Sequence, residues 1–568
     1  MSSDSDLVFF HNSIDDDLKA STDVKFNDKN YTFITDSTSN SGSFSSGQIQ
    51  FDLATLNSQS QWINLNEAVI EFPVKISTSI ITAGTGSETT KSIAQVSTAI
   101  IKNGWHQWID SCQVIINGQN IQSAQPYENV AAQFRIISKW SQDELVKYGP
   151  TCGFALDDCT ANGDTTTTIS STIGMSNGAY ATIAAAVKGL DVINNQATLF
   201  NKGITTRNSF TNNEIGLTTS TQATILGASA MKTAGRNNSA CTAAGSNTAT
   251  TVIQTAFYMA TCRLKDLCDI SNFPMVKNLK GFVYLSFNSS TIQLTGTAGS
   301  AVMSAVSITP NTGRTTPFLI NNSATGILLG NYATTAPVVA ITGSVDATTT
   351  GAVGSSGPVL TNARLLVPYY LANPKTDSAL TISNKFFTTL EKIVNPLTVP
   401  AGQSINYTIS TGVPNAQRLV MLPMWQNLGG VTNLTNPEIS PFDSVPATSG
   451  PFAVLSNLQV YLANKPMYQY PIQYDFEQWI EEQEQLGVGG NALEGQTSGL
   501  LSQLLFNQNH RFYTVDLSRR MESEDGSSKS VQVSFTNPSA TFGLKVICIL
   551  LYSKSWIINT GQCQLSSV

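Results

Sequence analysis

The chain has 568 residues, of which only 12% are charged, with a net charge of −7 and a pI of about 5.1. Charge at about half the usual ~25%, with no Lys/Arg-rich run, argues against long charged helices and against a dedicated nucleic-acid surface. No run of 18 apolar residues is present, and the opening MSSDSDLVFFHNSIDDDLK lacks a basic n-region and a long apolar core, so neither a helical membrane span nor a secretory signal is expected.

In chain order, residues 1–40 read as an acidic N-terminal arm, and a first β-rich domain as 41–375. Its opening strand is SSGQIQFDL (45–53), where Ile49, Phe51 and Leu53 alternate with polar residues. VIEFPVKI (69–76) is a second, with Pro73 expected at a sheet edge or bulge. CQVIINGQNI (112–121) is a strand with a tight turn at Asn117-Gly118. A helix is predicted over 126–147, because Tyr127, Val130, Phe134 and Ile137 share one face of a 3.6-residue period. RLKDL (263–267), VYLSF (283–287) and RLLVPYY (364–370) complete the set. Between them lie two long Thr/Ser/Ala/Gly/Asn-rich insertions, 159–250 and 291–360. These are expected to be ordered surface loops, since Ile320, Leu328 and Leu329 punctuate the second.

After a linker at 376–394, the same passage is written again over 395–560. PAGQSINYTI (400–409) answers GQIQFDL, with Ile405, Tyr407 and Ile409 alternating. RLVMLPMW (418–425) answers VIEFPVKI down to Pro423. QVYLANKPMY (459–468) answers the turn segment with Ala463-Asn464 in place of Asn-Gly. A helix follows at 475–486, with Phe476, Trp479 and Ile480 on one face, Asp475 and Gln478 as a capping box and Gly487 as its stop. YTVDL (513–517), VQVSF (531–535) and KVICILLYS (545–553) close the copy, and 561–568 reads as a tail. Six matches in one order indicate a duplicated domain. Period-2 strands without βαβ alternation indicate antiparallel sandwiches.

Chemistry is sparse. Of the three histidines, His11, His106 and His510, His106 in WHQW is read as a packed or hydrogen-bonded surface histidine, with no second His or Cys at ligand spacing. His11 with Asp15, Asp16 and Asp17 lacks the alternation of a calcium loop and is read as solvated acid. GVGG (487–490) follows a helix, so it is no phosphate cradle. Glu481 and Glu482 are read as a charged, solubilising helix face, and Trp140, Trp479 and Trp556 as core or subunit-interface anchors. The eight cysteines form no CxxC pair and are expected to be mostly reduced thiols, with Cys152 and Cys159 the candidates for an exception. No GxSxG, P-loop or HExxH pattern occurs. No catalytic, cofactor-binding or metal residue is therefore assigned.

The strand SFSSGQIQFDL, the strand-plus-turn QVIINGQ, the segment RLKDLCDISNFPMVKNLKGFVYLSF and the junction NARLLVPYYLANP, in that order over residues 40–560, resemble the double jelly-roll major capsid proteins of tailless icosahedral double-stranded DNA viruses, closest to those of virophages and polinton-like viruses. The resemblance implies an all-β chain of two tandem eight-stranded jelly rolls and a structural role without catalysis. It further implies homotrimeric pseudo-hexagonal capsomers tiling a virion shell with the loops outward, and penton and minor or cement proteins as partners. A surface adhesin or carbohydrate-binding β-protein is the alternative. A glycan-degrading enzyme would need a carboxylate pair on neighbouring strands.

Overall fold

The computed structural model describes residues 25–37, 44, 48–56, 61–82, 99–157, 203, 207, 241–242, 251–270, 272–297, 300–320, 338–348, 361–381, 384–426, 453–486, 499–508, 510–518, 527–540 and 542–567. The first unit opens with strands β1 (Phe26–Thr35), β2 (Gln48–Asp52), β3 (Gln61–Ile63), β4 (Val69–Thr82), β5 (Ala99–Ile101), β6 (Ile109–Ile116) and β7 (Gln119–Gln122). Helices α1 (Glu128–Lys139) and α2 (Gln142–Cys152) follow, then β8 (Cys241–Thr242), β9 (Thr251–Arg263), the single turn α3 (Leu264–Leu267) and β10 (Gly281–Phe287). The unit ends with β11 (Ser290–Thr297), β12 (Ser300–Pro310), β13 (Phe318–Ile320), β14 (Val338–Val345) and β15 (Arg364–Ala372).

Helix α4 (Pro374–Thr381) leads into the second unit: β16 (Asn384–Val399), β17 (Ser404–Val413), β18 (Ala416–Gln426), β19 (Ser456–Leu462) and β20 (Lys465–Pro466). Then come α5 (Phe476–Leu486), α6 (Gln503–Gln508), β21 (Tyr513–Asp516), β22 (Lys529–Thr536), β23 (Gly543–Asn559) and β24 (Gln564–Ser567).

Each unit has two antiparallel sheets. In the second the order is β16-β23-β18-β21 and β17-β22-β19-β20; in the first it is β1-β15-β4-β9 and β2-β10-β6-β7. Taking the eight shared strands of each unit in chain order, the first lies beside the eighth, the eighth beside the third and the third beside the sixth. The other sheet joins the second, seventh, fourth and fifth. This is the jelly-roll order, and it occurs twice. Alternate burial along β6 and β10 is the pleat placing one face inward.

The opening strands GQIQF and GQSINY both become the second strand of their unit. The turns correspond as well: Asn117-Gly118 and Ala463-Asn464 all have positive φ (49°, 77°, 49° and 63°), as a two-residue hairpin turn demands. One alignment shifts. Val114 pairs with Val283, and Val460 pairs with Val533, so Val283 answers Val533 and VYLSF against VQVSF is out by two residues. A slip of two keeps every side chain on its face, so alternation alone does not expose it.

The expected boundaries also move. The 1–40 arm contains β1, which pairs with β15 along its length; the 376–394 linker contains α4 and the start of β16; the 561–568 tail contains β24, paired with β23. β1 is a sheet-edge strand with mostly exposed residues, so its sequence FNDKNYTFIT looks like a polar arm. The helix expected over 126–147 is two helices. Trp140 adopts extended backbone (φ −71°, ψ 141°), and Ser141 restarts the chain with a reciprocal capping box to Glu144. Asp475 accepts from the backbone N–H of Gln478 at 2.9 Å, but the expected box is not reciprocal, because Gln478 Nε2 donates to Glu482 at 3.3 Å; Gly487 lies outside the described residues.

Neither proline lies where an unbroken pair of ladders would need its N–H. β15 pairs with β4 at residues 69–71 and β14 takes over from Val74, so Pro73 sits in the gap of a central strand. β21 leaves β18 after Met421, so Pro423 has a ladder on one side only.

The described parts of the insertion at 291–360 are mostly strand where loops were expected. β12, β11 and β14 run side by side and join the far half of β4, from Val74 to Thr82. With 14 residues, β4 is about 46 Å long, and its far half carries this added sheet on one side and β9 on the other. Ile320 falls in β13; Leu328 and Leu329 lie outside the described residues. Of the 159–250 insertion, Arg207 is fully buried, with Nη2 2.8 Å from Asp157 Oδ1 and Nε donating to the Ile101 carbonyl at 3.2 Å.

The two cores interlock. Tyr127, Val130, Phe134 and Ile137 of α1, chain neighbours of the first unit, belong to the hydrophobic cluster of the second. In return Phe387, Trp556, Ile558 and Leu565 belong to the cluster of the first.

Candidate functional site

Sites singled out by residue type resolve into packing. His106 is buried in a 3-10 turn spanning Trp105–Trp108, its Nε2 2.9 Å from Gln133 Oε1. Burial lowers its pKa to about 4, so the ring is neutral. His510 is buried with Nε2 3.2 Å from the Asp157 carbonyl oxygen. His11, Asp15, Asp16, Asp17 and GVGG lie outside the described residues, among which no group of three or more His, Cys, Asp or Glu could hold a metal ion. Cys112, Cys152, Cys262, Cys268, Cys548 and Cys563 are buried free thiols; burial pushes those of Cys152 and Cys548 up to about 12. Cys159 lies outside the described residues.

The three tryptophans are core. Trp140 Nε1 donates to Asp266 at 3.2 Å, Trp556 Nε1 donates to Thr389 at 2.8 Å, and Trp479 stacks on Phe476. The acidic pair on α5 divides. Glu481 is exposed, but Glu482 is wholly buried, accepting from Tyr468 Oη at 3.1 Å and from the Asp516 backbone N–H at 2.8 Å. It lies one turn past Trp479, on the inward face, so it holds the fold together and is no solubilising group.

The concentration of chemistry that residue type alone did not reveal is the seam between the units. Glu128, at the start of α1, is wholly buried and ion-pairs with Lys392 of β16. Burial lowers the Lys392 pKa, which Glu128 opposes. The next residue along, Glu391, accepts from the Ser123 backbone N–H at 3.2 Å and from Tyr552 Oη at 2.8 Å, and ion-pairs with Lys554. Tyr127 takes a left-handed conformation (φ 61°) at the head of α1, and its hydroxyl accepts from Lys545 Nζ at 3.0 Å. Arg263 bridges Asp266 (2.8 Å) and Glu144 (3.3 Å) and lies over the rings of Trp140 and Tyr148. The sequence signal for these groups is slight: charges set inside apolar strands, such as Glu391-Lys392 in LEKIV and Arg418 in RLVML.

A cavity of about 570 Å³ opens at this seam, between α1, Asp269 and Asn272 beyond α3, and one face of β16, β18 and β23. Arg135, Lys139, Lys392 and Arg418 line it, with Asp269 the one carboxylate. Apolar walls come from Phe134, Phe386 and Leu551. The cations are balanced by carboxylates in and behind the wall: Glu128 pairs with Lys392, Asp269 with Lys139, and Asp516 faces Arg418 across the β18–β21 ladder; the lining residues include no His or Cys. Among the described residues no helix is long and apolar enough to cross a membrane.

No protein-family model and no curated protein matches the chain. Among solved structures it is similar to the Sputnik virophage structure determined by cryo-EM at 3.5 Å resolution: 11% identity, TM-score 0.48, covering 96% of this chain and 89% of that one. It is similar also to the mavirus major capsid protein (12%, 0.45, covering 97% and 93%) and to the Faustovirus major capsid protein (9%, 0.40, covering 94% and 91%). The double jelly-roll assignment itself rests on the strand order and registers given above.

Proposed function

We propose that the chain is a viral major capsid protein, a structural subunit that works by burying complementary surface. The observation that carries this is the tandem pair of complete jelly rolls whose cores share residues. In this reading three chains close into a pseudo-hexagonal capsomer through one heterologous contact repeated about a threefold axis. Capsomers then tile an icosahedral virion shell, completed by penton and minor or cement proteins.

Supporting features sit on the edges. β1 is the edge of its sheet and exposes Tyr31 and Phe33 (59% and 57% accessible); β16 exposes Phe386 (63%). Large exposed aromatics on a lateral face fit an interface better than a solvated surface. An obligate contact of this kind buries on the order of 2,000 Å² or more. The added sheet of β11, β12 and β14 along the far half of β4 fits the outer end of such a block, because on a lateral face it would obstruct close contact.

The test is negative-stain microscopy and light scattering of the purified full chain. Pseudo-hexagonal trimers or shells are expected. A stable monomer at micromolar concentration would overturn the proposal and favour a monomeric binding protein.

A further inference from the structure

The two units of the chain meet through a contact with two distinct halves. One half is the face of β16 turned to the first unit, where Phe387, Thr389 and Glu391 are buried. Phe387 meets Phe273 edge-on at 5.4 Å, and Glu391 accepts from the Ser123 backbone N–H at 3.2 Å. The other half is the stretch between β7 and α1, in which Ser123 and Gln125 are half-buried and Tyr127 and Glu128 buried. Duplication gives each unit both halves, and the internal contact uses the strand of the second unit and the stretch of the first. Registers identify the unused strand face. Pro73 answers Pro423, so Glu71 answers Met421; their ladder partners are Arg364 and Cys548, which pair onward with Thr35 and Asn395. Ile34 then answers Val394, each buried in the core of its own unit, and Lys29 and Tyr31 answer Thr389 and Glu391. A slip of two residues would leave the face unchanged. Where β16 is covered, β1 is bare, with Lys29, Tyr31 and Phe33 all exposed. The unused stretch lies between β20 and α5, where Gln469, Tyr470, Gln473 and Asp475 are exposed, Tyr470 at 71%.

We propose that the bare face of β1, carrying Tyr31 and Phe33, docks on the 469–475 stretch of a second copy of this chain, repeating between chains the contact that joins the two units within one. This rests on the capsid-subunit reading above and names the surfaces of its repeated contact. The occupant is a second copy because each chain holds one unused half of each kind, on opposite units and outside the internal contact. A contact between unlike patches of identical chains is heterologous, and it closes into a ring when its rotation allows. The fit is already present in the molecule: a unit that receives β16 at one corner has a duplicate whose same corner is open. Residue type agrees. Tyr31, Phe33 and Tyr470 are large aromatics standing in solvent, the side chains enriched at the centres of protein interfaces.

The test places the photo-crosslinker p-benzoylphenylalanine at position 31 of the full chain. On irradiation its ketone couples to C–H bonds in contact with it. A denaturing gel is expected to show a ladder of up to three joined chains, and peptide mass spectrometry should place the far end of each link within 467–477. The double variant Tyr31→Ser, Phe33→Ser changes exposed side chains only, so it should fold with unchanged circular dichroism while its self-association, followed by light scattering, weakens at least tenfold. Tyr470→Ser, on the receiving side, should weaken it in the same direction. Trimers whose links land outside 467–477, or join one β1 to another, would overturn this contact and leave the capsid-subunit reading standing. So would trimers whose association is unchanged in the double variant. A chain that stays monomeric at micromolar concentration would overturn both.

Discussion

Ala463 holds a backbone conformation that side chains resist. Its φ of +49° puts it in the left-handed region, which costs a residue with a Cβ roughly 1 kcal/mol. Its counterpart Asn117 tolerates that region better, and the glycine of the first turn, Gly118, takes it freely. Ala463 is exposed, so Ala463→Gly should relieve the strain without touching the core. We expect a stabilisation of about 0.5–1 kcal/mol, read as a higher urea midpoint at constant slope. His106 offers a second residue-scale test. Burial moves its pKa from 6.5 to about 4. Between those values the unfolded chain binds the proton that the folded chain refuses. Stability therefore falls as pH falls through that window and is unaffected above it. The loss should be about 2 kcal/mol at pH 5. His106→Gln should remove this dependence, so that from pH 7.5 to pH 5 its stability relative to wild type shifts in its favour by that amount. An equal acid response in the two proteins would show that His106 is not the group responsible.

The elements that sequence reading found are those whose local chemistry is decisive. Ile49 and Phe51 alternate because β2 faces one core; Asn117-Gly118 is a turn because little else fits; Tyr127, Val130, Phe134 and Ile137 line one helix face. What escaped was set by tertiary context. β1 is an edge strand with polar residues outward, and its place beside β15 is decided by a partner more than 300 residues away. The break at Trp140 depends on its indole reaching Asp266. The seam was least legible of all, because no periodicity says that Glu128 will meet Lys392 or that Arg418 will face a cavity. The β11–β12–β14 sheet escaped because its Thr/Ser/Gly composition looks like loop, while cross-strand contacts such as Thr291–Thr342 (3.1 Å) hold it. Within that sheet Gly343 passes over the stacked rings of Trp108 and Phe318; a Cβ there would lie 2.6 Å from Phe318 and 2.7 Å from Trp108. Gly343→Val should therefore destabilise by about 1–3 kcal/mol. The loss should appear locally, as faster amide exchange in 290–310 and 338–345 than in β16–β23. Uniform acceleration would mean that the added sheet is no separate unit.

At the scale of the whole molecule, the two sandwiches share material. α1 seals an apolar face of the second unit with Phe134 against Phe512 (5.2 Å), while Phe387 packs edge-on to Phe273 in the first (5.4 Å). A block made this way couples its two halves through packed side chains, which two beads on a linker would not do. It follows that the units should not melt separately. Calorimetry of the full chain should show one unfolding transition, and residues 384–567 expressed alone should fail to fold, since removing α1 takes Phe134 away from Phe512 and Val130 and Ile137 out of the second core. The seam's ion pair tests the same coupling. Lys392→Met leaves Glu128 charged and buried without its main partner, a loss of about 3–5 kcal/mol. The double variant Glu128→Gln, Lys392→Met removes the stranded charge and should recover most of it. Because the pair joins the two units, the single variant should lower the one transition as a whole. Two resolved transitions in Lys392→Met, one at the wild-type temperature, would show that the sandwiches are independent domains and that the interlocked cores contribute little to holding them together.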